Sequence, residues 1–200
     1  HLYNSAEAVI AHLGIQYAGC ITCLLDPLTT VEGLRYYLED TGTKSLLTHF
    51  KKENVHSHVP DGVTIFDMSD IENLSSQKVS KHVLTEPFRF DRDEVAAIFY
   101  TSGTTSRPKG VMLPPRTFHS HFKIFIEGCY TYEPGDSLLC FVPFSHGYGS
   151  KSIFIPCIHF GATFVIMRSF HPLKVVETIE KENITHIFGV PSHYQQLLRR

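Results

Sequence analysis

Ten consecutive residues, Thr101-Ser102-Gly103-Thr104-Thr105-Ser106-Arg107-Pro108-Lys109-Gly110, gather a run of hydroxyls, two glycines and a lysine. Hydroxyls and unpaired backbone N–H groups donate hydrogen bonds to phosphate oxygens, and Gly103 lets the backbone come close to such a ligand. Lys109 adds a mobile point charge suited to a polyphosphate. The spacing of the common nucleotide-hydrolase loop is not met. That loop needs glycine five residues ahead of Gly-Lys-Ser/Thr, whereas here Pro108 precedes Lys109, and Gly110 and Val111 follow it. A Ser/Thr-rich surface loop is the competing reading of the same residues.

Other chemistry-bearing types are scattered. His56/His58 and His119/His121 are His-x-His pairs without Cys or acidic residues at metal-ligand spacing, and they read as ordinary imidazoles. Cys20-Ile21-Thr22-Cys23 lacks the second pair that a zinc site requires, so no metal ligands are assigned. The pair lies within Gly19–Leu25, which reads as a strand, so buried structural thiols are expected. The cysteines number five, an odd count that fits a reducing, intracellular compartment better than a disulfide framework.

The elements that would position the loop alternate. Asn4 is expected to cap a helix, with Glu7 completing a capping box, and a strand follows at Gly19–Leu25. Thr29 is expected to cap a second helix that stops at Gly42, with a short strand over Ser45–Thr48. Residues 50–92 are polar and turn-rich, and they read as a long surface connection interrupted by one strand at Val63–Phe66. Regular order returns with a buried strand, Val95–Tyr100, which leads into the hydroxyl-rich loop. A helix over Arg116–Tyr130, a strand over Ser137–Phe141, a helical or mixed stretch over Lys151–Phe160 and a strand over Ala162–Met167 come next. A helix opening at Pro172, a strand over His186–Val190 and a last helix opening at Pro191 complete the pattern. This order predicts an α/β fold, a mostly parallel sheet flanked by helices, with the loop at the carboxyl end of a strand.

Bulk composition narrows the function. Hydrophobic residues at 42% exclude a disordered chain, and 18 Lys+Arg against 20 Asp+Glu leave no positive excess for a nucleic-acid backbone. No apolar run approaches the roughly 20 residues of a membrane span, so no transmembrane segment is expected.

The order Tyr100-Thr101-Ser102-Gly103-Thr104-Thr105, then Pro108-Lys109-Gly110-Val111, resembles the signature of the adenylate-forming (AMP-binding) enzyme superfamily. That superfamily includes acyl-CoA synthetases, coumarate–CoA ligases, beetle luciferases and peptide-synthetase adenylation domains. Pro143-Phe144-Ser145-His146-Gly147-Tyr148-Gly149 resembles its second signature, a Pro-x-x-His turn near the acyl pocket. Ala18-Gly19, Leu25-Asp26-Pro27, Leu34 to Gly42, Gly161-Ala162 and Val190-Pro191 also fit, so the likeness covers nearly all 200 residues. Two positions depart from it. Ser106 stands where the family usually has glycine, and Pro114-Pro115 stand where it often has Thr-His.

The resemblance implies that residues 1–200 are part of a large N-terminal domain, with 50–92 as a connection inside it. It also implies ATP-dependent activation of a carboxylic acid to an acyl-adenylate, then thioester formation with coenzyme A. ATP, Mg²⁺ and coenzyme A are the implied cofactors, and a small-molecule carboxylic acid is the implied partner. Thr101, Ser102, Gly103, Thr104, Thr105, Ser106 and Lys109 would bind the nucleotide. Lys109 and His146 would be catalytic, and His146 and Tyr148 would border the substrate. A structural histidine in a Gly-rich turn is the competing reading of His146. A non-catalytic relative that binds nucleotide or carboxylate, a luciferase-like monooxygenase and a plain interaction domain remain alternatives. The expected setting is intracellular, cytoplasmic or peroxisomal.

Overall fold

A computed structural model describes residues 1–76, 86–101, 107–128 and 132–199. Helix α1 spans Ala6–Tyr17, and its N-cap is Ser5, not Asn4, with the Ser5 hydroxyl accepting from the Ala8 N–H at 3.2 Å. Asn4 is buried, and its carboxamide is engaged elsewhere. Helix α2, Val31–Thr41, is likewise capped one residue later than expected, by Thr30. It ends at Gly42 with φ 61°, a left-handed backbone that glycine adopts without steric cost. Leu34 and Leu38, four residues apart and therefore on one helix face, are buried.

Strands β1 (Thr22–Leu24), β4 (Ala97–Thr101) and β5 (Lys109–Leu113) form one sheet in the order β1-β4-β5. Strands β2 (Ser45–Leu47) and β3 (Thr64–Phe66) form a parallel pair. Strands β6 (Ser137–Cys140), β7 (Thr163–Ile166) and β8 (His186–Ile187) form a third sheet in the order β7-β6-β8. Every pairing is parallel except β4 with β5, so the α/β, mostly parallel expectation holds with one local exception. The exception was not anticipated. Lys109–Leu113 lies between Pro108 and Pro114, and next to the Ser/Thr run it reads as more loop. Its pairing is a non-local property that its own residues do not announce.

The stretch 50–92 carries more regular structure than its polarity suggests. Helix α3 (Lys52–Val55), a 3₁₀ turn at His56–His58, β3 and helix α4 (Met68–Ser76) all fall within it. Val55 and Val59 are buried in a core with Leu25, Leu34, Leu38 and Leu46. A second core forms around β6 from Leu138, Leu139, Phe141, Ile153, Val175 and Phe188. It is covered by a π-helix over Tyr148–Phe154 with its continuation α6 (Ile155–Phe160), α7 (Pro172–Lys181) and α8 (Pro191–Leu198), while α5 (Pro115–Gly128) packs on the π-helix and α6. Pro115 occupies the first position of α5, where a missing N–H costs nothing, so the Pro114-Pro115 departure is accommodated.

An apolar slot of about 750 Å³ is lined by residues of α1, β1, α2 and β2, among them Ala8, Leu24, Leu38 and Leu46. The thiols divide. Cys140 and Cys157 are buried, whereas the burial expected of the Cys20–Cys23 pair is not met: Cys23 is half-buried, and Cys20 is exposed because β1 begins only at Thr22. Burial pushes the Cys23 thiol up to about 11, which runs against a redox role for the Cys20–Cys23 pair. Cys129 lies outside the described residues.

Candidate functional site

The site is built at the carboxyl ends of two parallel strands, the position that open α/β sheets use for ligands. β4 ends at Thr101, where the side chain is exposed. β5 begins at Lys109, also exposed, and the antiparallel register sets Lys109 directly opposite Thr101. Lys109 is therefore a strand residue at the mouth of a hairpin, not a loop residue. The expected nucleotide-binding residues Ser102, Gly103, Thr104, Thr105 and Ser106 lie outside the described residues.

The second strand is β6, from whose end the chain runs through Phe141, Val142 and Pro143 into a turn. The His146 N–H donates to the Pro143 carbonyl at 3.0 Å, which closes that turn. The His146 carbonyl then accepts from both the N–H and the hydroxyl of buried Ser150, each at 3.1 Å. Gly149 is required by packing: a Cβ there would lie 2.6 Å from the Pro143 carbonyl oxygen. Asn4 anchors the turn from a distance. Its Nδ2 donates to the carbonyls of Val142 at 2.8 Å and Met167 at 3.2 Å, while its Oδ1 accepts from the Phe144 N–H at 2.7 Å.

The His146 ring is exposed, and its Nδ1 accepts from the Tyr148 backbone N–H at 3.1 Å. An accepting Nδ1 leaves the proton of the neutral ring on Nε2, so His146 presents a donor outward. The ring conformation is thus held by its own turn, which serves a site as well as it serves the fold.

The two strand ends share a cleft of about 440 Å³ lined by Phe99, Thr101, Val111, Ser145, His146 and Lys151, among others. Thr101 and His146, proposed independently from two motifs, therefore meet. Lys109 and Tyr148 do not line this cleft. The Tyr148 side chain packs instead against the core around β6. Lys151 was missed by sequence reading. It is half-buried, its Nζ lies 5.6 Å from the centre of the Phe118 ring, and burial holds its ammonium below the usual lysine value. Among the described residues it has no carboxylate partner, and none of them that lines the cleft carries a carboxylate. The available signal was its place four residues after Gly147: a helix starting right behind the histidine turn brings that position back to the same face.

A cleft at strand ends, with a hydroxyl, an imidazole donor and a cation that has no carboxylate partner among the described residues, has the chemistry to receive an anion. The family model described as AMP-binding enzyme matches residues 1–200, and the chain belongs to that family. It is 31% identical over 198 residues to gramicidin S synthase 2 of Brevibacillus brevis, covering 98% of this chain and 4% of that one. It is 28% identical over 213 residues to 4-coumarate--CoA ligase-like 6 of Arabidopsis thaliana, covering 100% of this chain and 37% of the relative. Among solved structures it resembles the o-succinylbenzoate CoA synthetase (MenE) of Bacillus subtilis. With that protein in complex with the acyl-adenylate intermediate OSB-AMP, the TM-score is 0.83 at 26% identity, covering 100% of this chain and 50% of that one. With the same protein in complex with ATP and magnesium ion, the TM-score is 0.81 at 25% identity, covering 99% and 40%. The chain thus spans half or less of the length of these relatives.

Proposed function

We propose that the full-length protein activates a carboxylic acid with ATP, forming an acyl-adenylate that coenzyme A then captures as a thioester. In the first step a carboxylate oxygen attacks the α-phosphorus of ATP, the P–O bond to the β-phosphate breaks, and pyrophosphate leaves. Two anions must meet, so the chief demand on the protein is charge neutralisation and positioning. The observation that carries this reading is the convergence of Thr101 and His146 on one cleft at the ends of β4 and β6. The family membership and the ATP and acyl-adenylate complexes of MenE support it.

In this reading Thr101, Ser102, Gly103, Thr104, Thr105 and Ser106 donate hydrogen bonds to phosphate, and Lys109 neutralises the departing pyrophosphate. His146 donates from Nε2 to the reacting carboxylate or adenylate, and Lys151 adds positive charge within the cleft. Tyr148 would border the acyl group from its place against the core around β6. Magnesium, when bound, would neutralise phosphate charge. Among the described residues no carboxylate lines the cleft, and the nucleotide's own phosphate oxygens would be among the ligands of the ion. Residues 1–200 would be part of the large domain, with 50–92 as a partly helical connection inside it. A reducing intracellular compartment, cytoplasmic or peroxisomal, suits four described cysteines that form no disulfide. Among the described residues no helix is long and apolar enough to cross a membrane.

The test is ATP–pyrophosphate exchange by the full-length protein with a panel of fatty, aromatic and amino acids. Exchange with at least one acid is expected. Lys109→Ala should slow it by an amount equivalent to ~2–4 kcal/mol of barrier, with folding stability unchanged because Lys109 is exposed. No exchange with any acid would sink the proposal, and an unaffected Lys109→Ala would remove that residue from it.

A further inference from the structure

Helix α2 runs beside both stems of the β4–β5 hairpin and is bonded to each. The Tyr36 hydroxyl donates to the Pro108 carbonyl at 2.7 Å, and the Arg107 guanidinium lies 5.5 Å from the centre of the Tyr36 ring. One helical turn on, Asp40 accepts a hydrogen bond from the Tyr100 hydroxyl. Four-residue spacing sets Tyr36 and Asp40 on the same face of α2. Between them Tyr37 meets the Tyr100 ring edge-on, with centroids 4.6 Å apart and planes at 85°. Gly110 makes this arrangement possible. It stands opposite Tyr100 in the register, and a Cβ there would come within 3.2 Å of the Tyr100 ring.

The anchored residues are the immediate neighbours of the functional pair. Tyr100 precedes Thr101, Pro108 precedes Lys109, and Thr101 and Lys109 face each other across the hairpin. Packing alone would not need either hydroxyl, since phenylalanine fills the same volume. Both hydroxyls instead tie the stems of the phosphate-handling segment to a rigid helix whose own Leu34 and Leu38 are locked in a core.

We propose that Tyr36 and Asp40 are positioning residues for adenylation, holding Thr101 and Lys109 where ATP phosphates are bound. The proposal rests on the ATP-dependent reading above. Catalysis by two aligned anions is steep in distance, so a loosened stem is expected to cost rate before it costs stability.

The experiment compares Tyr36→Phe, Asp40→Ala and Asp40→Asn in the full-length protein. The readouts are kcat and separate KM values for ATP and acid in pyrophosphate exchange, with thermal midpoints measured alongside. Tyr36→Phe and Asp40→Ala are expected to lower kcat/KM for ATP about tenfold, the loss equivalent to one hydrogen bond, with KM for the acid unchanged. Asp40→Asn keeps an acceptor oxygen and is expected to recover most of the loss. Values of kcat/KM for ATP within about twofold of the unmutated protein in both variants would overturn the proposal. So would a loss shared equally by the acid KM and the thermal midpoint, because that is the mark of a merely structural contact.

If the unmutated protein exchanges with no acid, the catalytic reading fails and the clamp is judged by titration calorimetry with Mg-ATP. Affinity about tenfold weaker in the two variants would uphold a positioning role toward phosphate. Equal affinity, or no Mg-ATP binding by any form, would end it.

Discussion

At the scale of single residues, Asn4 shows how one side chain can hold a site together from far along the chain. Its carboxamide bonds to residues 138, 140 and 163 positions away, and all three bonds converge on the segment that leaves β6 toward His146 or on its neighbour after β7. Asn4 is 7% exposed, so water cannot replace what is lost. Asn4→Ala strands one N–H and two carbonyls and is expected to destabilise the fold by about 2–4 kcal/mol, read as a lowered urea midpoint. Asn4→Asp is expected to be at least as costly at neutral pH, because a carboxylate would face the Val142 and Met167 carbonyl oxygens. A midpoint unchanged by either substitution would show that the turn is held by its internal bonds alone. Lys151 is the converse case, a half-buried cation whose Nζ lies over the Phe118 ring and which has no carboxylate partner among the described residues.

Among elements, α1 carries a titratable group into the interior. His12 is buried at 4% exposure, its ring edge-on to Phe144 at 5.8 Å, and burial pushes its imidazole down to about 4. In the unfolded chain a histidine binds its proton near pH 6.5. Between those two values the unfolded state holds the extra proton, so stability is highest above about pH 6.5 and is lost as pH falls toward 4. The drop attributable to His12 is expected to reach about 3 kcal/mol at its largest. His12→Phe should remove that part of the acid dependence. Urea denaturation at pH 7 and pH 4.5 on both proteins isolates it from the carboxylates common to the two. An equal pH dependence in the variant would mean that the ring reaches water in the folded protein. Because His12 touches Phe144, acid loosening of α1 would also reach the turn that carries His146.

For the molecule as a whole, the outstanding feature is how much apolar surface the 200 residues leave uncovered. Leu28 is 78% exposed, Met112 65%, Ile124 71% and Leu198 87%. Among the described residues β5 is an edge strand, with Val111 and Met112 exposed on its opposite faces. Exposed apolar edges of this kind pair with further chains. Residues 1–200 expressed alone are expected to self-associate, with Met112→Lys shifting the population toward monomer in sedimentation velocity. A monomeric unmutated chain across the micromolar range would contradict this. The same isolated chain is expected to give no pyrophosphate exchange, because phosphate contacts alone compete poorly with water for a flexible polyanion.

Local chemistry was enough for much of this protein. The alternation of strands and helices, the stop at Gly42, the proline starts of α7 and α8, and the two motifs that contain Lys109 and His146 each depend on residues within a few positions of one another. Signals of that range are written directly into the chain. The caps were misplaced by one residue because Asn4 and Ser5, or Thr29 and Thr30, offer the same hydroxyl or amide chemistry to a helix start. Only the long-range contact that claims Asn4 decides between the first two. The return of Lys109–Leu113 as a strand, the arrival of Lys151 beside His146, the turning of Tyr148 into the core and the grip of α2 on the hairpin were settled by tertiary structure. Each rests on partners separated by many residues, where strand register and packing choose among side chains that local patterns leave equivalent.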